Sequence, residues 1–196
     1  MVRPAVIKFS IWNRHKKAKA ITAFLTQQGC DTILLVGTDG IGHGYGNEDI
    51  VEDAAAAGRT VKMGINIYPV QSPHPFVVAD GCRMPFPDRF VDVSLSSAII
   101  EHVGDEAAQR AFVAEQTRVA RCWVITTPNR WFPVESHTWA VFLHWSAAYR
   151  ARQVKFTRLL SKREFTAMLP EGAVVEGHWW SPTFTGYYAG ASPSLP

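Results

Sequence analysis

Val78 to Val103 reads VADGCRMPFPDRFVDVSLSSAIIEHV. Its first residues end a short apolar strand, Phe76 to Ala79 (FVVA), and Asp80 with Gly81 follows at once. The chain then turns on RMPFPD, whose prolines rule out a helix. A second strand, Val91 to Ser96 (VDVSLS), runs into a polar, small-residue stretch from Ser97 to His102. Two apolar strands that each end in small or polar residues are the layout of an α/β sheet, where ligands bind outside the carboxyl ends of the strands.

The flanking sequence extends that sheet. Thr32 to Val36 (TILLV) is a strand that leads into the glycine turn GTDGIG, Asn47 to Gly58 reads as a helix, and Thr60 to Ile67 reads as the next strand. Pro69, Pro73 and Pro75 keep the following connection free of a long helix. Upstream, Ile11 to Gln28 has helical spacing with Gly29 as its stop, so residues 1–29 form an N-terminal helical segment. Its basic cluster, Arg14 to Lys19 (RHKKAK), is read as a solvated face. Downstream, Asp105 caps a helix marked by Phe112, Glu115 and Val119, in which Glu106 and Arg110 form an i,i+4 pair. Cys122 to Thr126 (CWVIT) is a strand, and Ser161 to Glu164 is a capping box opening a helix that ends near Pro170. Aromatic-rich strands over Val174 to Trp180 and Thr183 to Ala189 close the chain. Strands alternating with helices predict a mostly parallel sheet covered on both faces.

The 196 residues suit one domain, 1–196, and the 47% apolar and 19% charged content is ordinary for a globular protein. A net charge of +3 without a long basic tract disfavours nucleic acid as the partner. Cys30, Cys82 and Cys122 are far apart without metal-ligand spacing, which implies reduced thiols, no metal and a cytoplasmic setting. No apolar run approaches the ~20 residues of a membrane span, although a membrane-adjacent position stays open. The glycines Gly37, Gly40 and Gly42 are spaced G-x-x-G-x-G, whereas a dinucleotide turn needs G-x-G-x-x-G and a phosphate loop needs Gly-Lys-Ser/Thr. Asp39 inside the turn would repel phosphate and attract a cationic ligand, such as a sulfonium or an amino acid ammonium.

The opening stretch, with QRAFVAEQTRVARCWVITTPN (Gln109 to Asn129) and the later TPNRWFPVESHT and LSKREFTAMLP, resembles the class I S-adenosylmethionine-dependent methyltransferases, in particular their type 11 group. The resemblance is strong from about Phe76 to His137 and fainter over Thr32 to Ile67. It implies a Rossmann-like α/β fold with a seven-stranded, mostly parallel sheet in the order 3-2-1-4-5-7-6, helices on both faces, and S-adenosylmethionine across the ends of strands one to four. By position, Gly37, Thr38, Asp39 and Gly40 would form the turn beside the methionine moiety. Asp80 would accept from the adenine amino group, with Gly81 and Cys82 beside the ring, and Ser97 would lie near the cofactor at the end of strand four. Two places depart from the family pattern. Leu35, Asp39 and Ile41 stand where the turn usually has its first acid and later glycine. Asn66 stands where an acidic residue usually grips the ribose, which makes it a weaker ribose anchor that Asp would strengthen.

Transfer of a methyl group from a sulfonium is an in-line displacement governed by alignment. A base is needed only where the acceptor must lose a proton, and His102 and His137 are the residues placed for it. Trp131 to Tyr149 and the terminal HWWSPTFTGYY hold five of the seven tryptophans. Core packing accounts for several, and residues 131–160 read as an aromatic, acceptor-side insertion that suits an apolar or ring-shaped small molecule. The favoured reading is a small-molecule methyltransferase. The alternative is a methyltransferase-like cofactor-binding or scaffold protein with weakened turnover, and the glycine spacing disfavours a nicotinamide-dependent oxidoreductase.

Overall fold

Each central strand hides both of its faces, which requires helices above and below the sheet. The computed structural model describes residues 2–38, 49–135, 138, 140–153 and 158–190, with residues 2–7 described by their backbone. Its elements are α1 (Val2–Gln27), β1 (Thr32–Val36), α2 (Ile50–Ala56), β2 (Thr60–Asn66), β3 (Phe76–Val78), β4 (Val91–Ser97), α3 (Glu106–Val119), β5 (Ala120–Pro128), α4 (Ala147–Arg150), α5 (Lys162–Met168), β6 (Val174–Glu176) and β7 (Thr183–Ala189). The seven strands lie in the order β3-β2-β1-β4-β5-β7-β6. β7 runs antiparallel to both its neighbours, and the β1–β2, β1–β4, β2–β3 and β4–β5 pairs are parallel.

Side-chain alternation sorts the core into two layers. Ile33 and Leu35 of β1, with Cys122 and Val124 of β5, pack with Ile21 and Leu25 of α1 and Ala55 of α2. Leu34 and Val36, with Trp123 and Ile125, pack on the other face with Phe112 of α3 and Phe165 of α5. The first layer also brings Cys30 and Cys122 together, thiol to thiol, so two cysteines that are distant in sequence meet as free, buried thiols.

The turn that opened the sequence reading is held by α3. Arg118 donates to the carbonyls of Phe86 and Met84 at 2.8 and 3.1 Å and pairs with Asp88 at 2.9 Å, while Glu115 accepts from Met84 N at 2.7 Å. The Arg118 guanidinium in turn holds the Glu115 carboxyl below the usual carboxylate range.

Local signals set the element ends. Gly29 takes φ +58 after α1, Asp105 accepts from Ala108 N at 2.9 Å, and the Ser161–Glu164 capping box is formed. α1 begins earlier than its apolar spacing implies, because Pro4 lies in the first turn, where a missing N–H is tolerated. β6 is shorter than expected. Gly177 takes φ +113 and ends it, and His178 to Ser181 then close a turn.

Candidate functional site

Parallel pairing carries the ends of β1 to β5 to one edge of the sheet. Gly37 takes φ +84 after β1, and Gly37 N and Thr38 N both donate to Ile65 O of β2, at 2.8 and 3.2 Å. Asp39 and Gly40 lie outside the described residues. An added Cβ on Gly37 would meet Ile99 Cδ1 at 2.3 Å, so this glycine is needed to seat Ile99.

Ile99 is placed by a strained turn. Ala98 takes φ +60, a conformation that costs an L residue roughly 1–2 kcal/mol. Bonds from Ala98 N to Thr126 O at 3.0 Å and Thr126 Oγ1 at 3.2 Å hold it there, and the Thr126 hydroxyl lies 3.5 Å from Ser97 Oγ.

At the end of β2, Asn66 Nδ2 donates to Thr38 O at 2.9 Å and Asn66 Oδ1 accepts from Tyr68 N at 3.3 Å. The amide therefore joins the turns after β1 and β2, and its donor half does what no carboxylate can. After β3, Asp80 is exposed, and its Oδ1 accepts from Cys82 N at 2.8 Å, which orients the carboxylate. Gly81 backs onto Phe112, whose ring would lie 2.7 Å from an added Cβ. The Cys82 thiol donates to Ala108 O at 3.4 Å, and burial, with Asp80 beside it, pushes it up to about 11, so it is no nucleophile at neutral pH.

The turn after β4 carries Glu101 and His102. Glu101 is fully buried and accepts from Thr127 Oγ1 at 3.4 Å, while His102 reaches the surface with Nε2 3.9 Å from Glu101 Oε1. His137 lies outside the described residues. Its flanking residues Glu135 and Thr138 are joined by Thr138 N and Oγ1 donating to Glu135 Oε2 at 2.6 and 2.8 Å. Asn129, from TPN, donates to Trp179 O and Ser181 O at 2.7 and 2.9 Å and so ties the end of β5 to the β6–β7 turn.

Lys17 and His144 were not singled out by the sequence. The basic cluster of α1 is not wholly solvated: Lys17 is half-buried, and its pKa falls from 10.5 to about 8. Burial is the main cause, Arg14 adds to it, and Glu101 and Glu52 oppose it. Only the inward helical position of Lys17 could have signalled this. Lys17 also lines a cleft of about 350 Å³ between α1 and the β6–β7 edge, with Asn13, Lys16, His178 and Thr183 on its walls. Thr183 pairs with Pro128, so the cleft opens beside the end of β5. His144 is buried and donates from Nε2 to Phe132 O at 2.8 Å, anchoring the segment after β5.

Core packing does not account for the clustered tryptophans. Trp131, Trp145, Trp179 and Trp180 are all exposed, Trp139 lies outside the described residues, and Trp123 of β5 is the tryptophan that the core holds. Among the described residues no His, Cys, Asp and Glu cluster could hold a metal, and no helix is long and apolar enough to cross a membrane.

Residues 43–122 match the family model described as a methyltransferase domain. Among curated proteins none matches the sequence. Among solved structures, the chain is similar to the N-methyltransferase NodS of Bradyrhizobium japonicum WM9 in complex with S-adenosyl-L-homocysteine, at TM-score 0.57 and 9% identity over 92% of this chain and 87% of that one. It is similar to a chain of the complex between the Haloferax volcanii Trm112 methyltransferase activator and the putative methyltransferase, at TM-score 0.57 and 13% identity over 97% and 96%. A SAM-dependent methyltransferase from Aquifex aeolicus aligns at TM-score 0.51 and 16% identity over 85% and 87%. At such identities the likeness is one of fold.

The bonds made by Asn66 give Asp at this position a cost in fold stability, separate from any gain in cofactor affinity. Asn66→Asp removes the donor to Thr38 O and sets a carboxylate against a carbonyl, so we expect a loss of about 1–3 kcal/mol, read as a fall in melting temperature. An unchanged or higher melting temperature would contradict the bonding described. For Lys17 the sign follows from a folded-state pKa of about 8 below an ordinary 10.5. Between these values the unfolded chain binds more protons, so Lys17 makes stability rise with pH across that window. In urea unfolding at several pH values, Lys17→Met should reduce that rise, and an identical slope in both proteins would show that Lys17 titrates normally.

Proposed function

We propose that the chain is a class I S-adenosylmethionine-dependent methyltransferase, a reading supported by the methyltransferase-domain match over residues 43–122, and that its acceptor is a small molecule admitted over the ends of β4 and β5. Its cofactor is S-adenosylmethionine, which when bound supplies the methyl group on an electrophilic sulfonium. The observation that carries the acceptor reading is the 350 Å³ cleft beside the end of β5, a volume suited to a small ligand.

The donor set at the strand ends fits this cofactor. Asp80 offers an exposed carboxylate, held in orientation by Cys82 N, to accept from an exocyclic amine. Asn66 Oδ1 has a second lone pair for a ribose hydroxyl, and Ser97 offers a hydroxyl at the end of β4. Gly37 and Thr38 are assigned to the methionine side, as Asp39 and Gly40 are by the sequence pattern alone, and Gly81 and Cys82 follow Asp80 on the adenine side. The role of these residues is alignment: a rigid edge that fixes the acceptor in line supplies most of the rate in such a displacement. The aromatic segment 131–160 is assigned to the acceptor side by its place after β5.

Where the acceptor is a hydroxyl, His137 takes its proton. An unperturbed imidazole titrates near about 6.5 and is largely neutral at pH 7. His102 keeps a structural role beside buried Glu101. Once an acceptor is identified by release of S-adenosylhomocysteine, His137→Ala should slow turnover roughly 10²- to 10⁴-fold with cofactor affinity unchanged, and His102→Ala should remain close to wild type. A His137→Ala enzyme with near-normal turnover and an unchanged acid limb of its pH–rate profile would remove it as the base.

A further inference from the structure

The first half of α1 and the segment after β5 join into one exposed, aromatic and cationic face. Phe9 stacks on Trp12 and on Phe132, with ring centroids 5.9 and 6.4 Å apart, and so links the helix to the segment. From there Trp131 meets Trp145 edge-on at 6.2 Å, and Trp145 meets Phe142 at 4.8 Å. Val141, Phe142 and Leu143 form the outer tip, each more than half exposed at 52%, 52% and 57%. Phe142 takes φ +60, a strained conformation for a bulky residue, held by a bond from its N to Pro133 O at 2.9 Å. Strain and exposed apolar area both oppose folding here, and neither is explained by the core. Contiguous exposed apolar surface of this kind marks an interaction site.

The two segments that build this face are rich in cations. Residues 2–27 and 130–153 contain nine of the chain's 20 Lys and Arg but only one of its 17 Asp and Glu. That one, Glu135, is buried and bonded to Thr138. Lys16 lies over the Trp12 ring at 5.5 Å, and Arg130 lies over Trp131 at 4.9 Å while it pairs with Glu164 of α5 at 2.8 Å. Arg150 donates to His144 O and Trp145 O at 2.8 Å, directly behind the tip, and Arg152 is exposed.

We propose that this face is a peripheral docking site for a membrane surface bearing anionic lipids. An outward Phe-Leu-Trp tip ringed by Lys and Arg matches the two terms that bind a protein at an interface, apolar area inserted at headgroup depth and cations beside anionic headgroups. Indole rings favour that depth. Single-stranded nucleic acid suits the face less well, because base stacking needs open ring faces, and here Arg130 covers Trp131 while Phe142 and Trp145 meet edge to face. The inference does not depend on the methyl-transfer reading, and a failure of either leaves the other in place.

The test is sedimentation of the full chain with vesicles of phosphatidylcholine alone or mixed with phosphatidylglycerol. The wild type should sediment with the mixed vesicles, less so as salt rises, and stay in solution with phosphatidylcholine alone. The double variant Phe142→Asn with Leu143→Ser removes the tip and relieves the strained φ, so it should melt no lower than wild type and lose binding. Lys16→Glu with Arg152→Glu should weaken binding by more than about tenfold, since each cation near the surface contributes severalfold. The proposal is overturned if the wild type ignores anionic vesicles or if both variants bind as it does. It is overturned equally if the tip mediates a dimer that leaves vesicles alone, or if a single-stranded oligonucleotide displaces the protein from vesicles.

Discussion

The register between β1 and β4 is the constraint from which the rest of the site follows. Asp92, at the start of β4, accepts through Oδ2 from Thr32 N and Thr32 Oγ1, each at 2.8 Å, and from Asp31 N at 3.1 Å. Its own backbone N donates to Thr32 Oγ1 at 2.9 Å. Burial alone would raise the Asp92 carboxyl, but these bonds, with Arg121 nearby, outweigh it and hold the group below its ordinary value. The clasp sets Ile33 opposite Val93. A slip of one residue would send Ile33 and Leu35 to the wrong face of the sheet. It also fixes how far β1 and β4 extend at their other ends, where Gly37 meets Ile99 and the strand order turns back on itself.

Much of this was legible in the sequence, and the reasons are local. β1 and β7 are bounded by turn residues and read at their observed limits, and the Asp105 cap and the Ser161–Glu164 box depend on side chains a few residues apart. The strand order came from resemblance, because the RMPFPD turn and the Arg118 that grips it are distant in sequence and meet only in the fold. β6 was overread because aromatic content suggested strand through Trp180, while Gly177 ended it. Tertiary placement was invisible in the same way: a basic run on a helix does not say that Lys17 turns inward.

The glycines assigned to the site also have a packing role. The space beside Gly37 and Gly81 is filled by Ile99 and Phe112. These glycines let the edge of the sheet pack tightly against both side chains. Asn66 serves the same end by tying the turns after β1 and β2 together. A stiff edge suits a reaction that depends on alignment more than on proton transfer.

Calorimetric titration with S-adenosylhomocysteine and with NAD tests most directly the proposal that the strand edge binds S-adenosylmethionine. S-adenosylhomocysteine should bind at a single site and, at a hundredfold over its dissociation constant, add about 2.7 kcal/mol to the stability of the fold. NAD should give no binding heat. Binding of NAD without binding of S-adenosylhomocysteine would contradict the account.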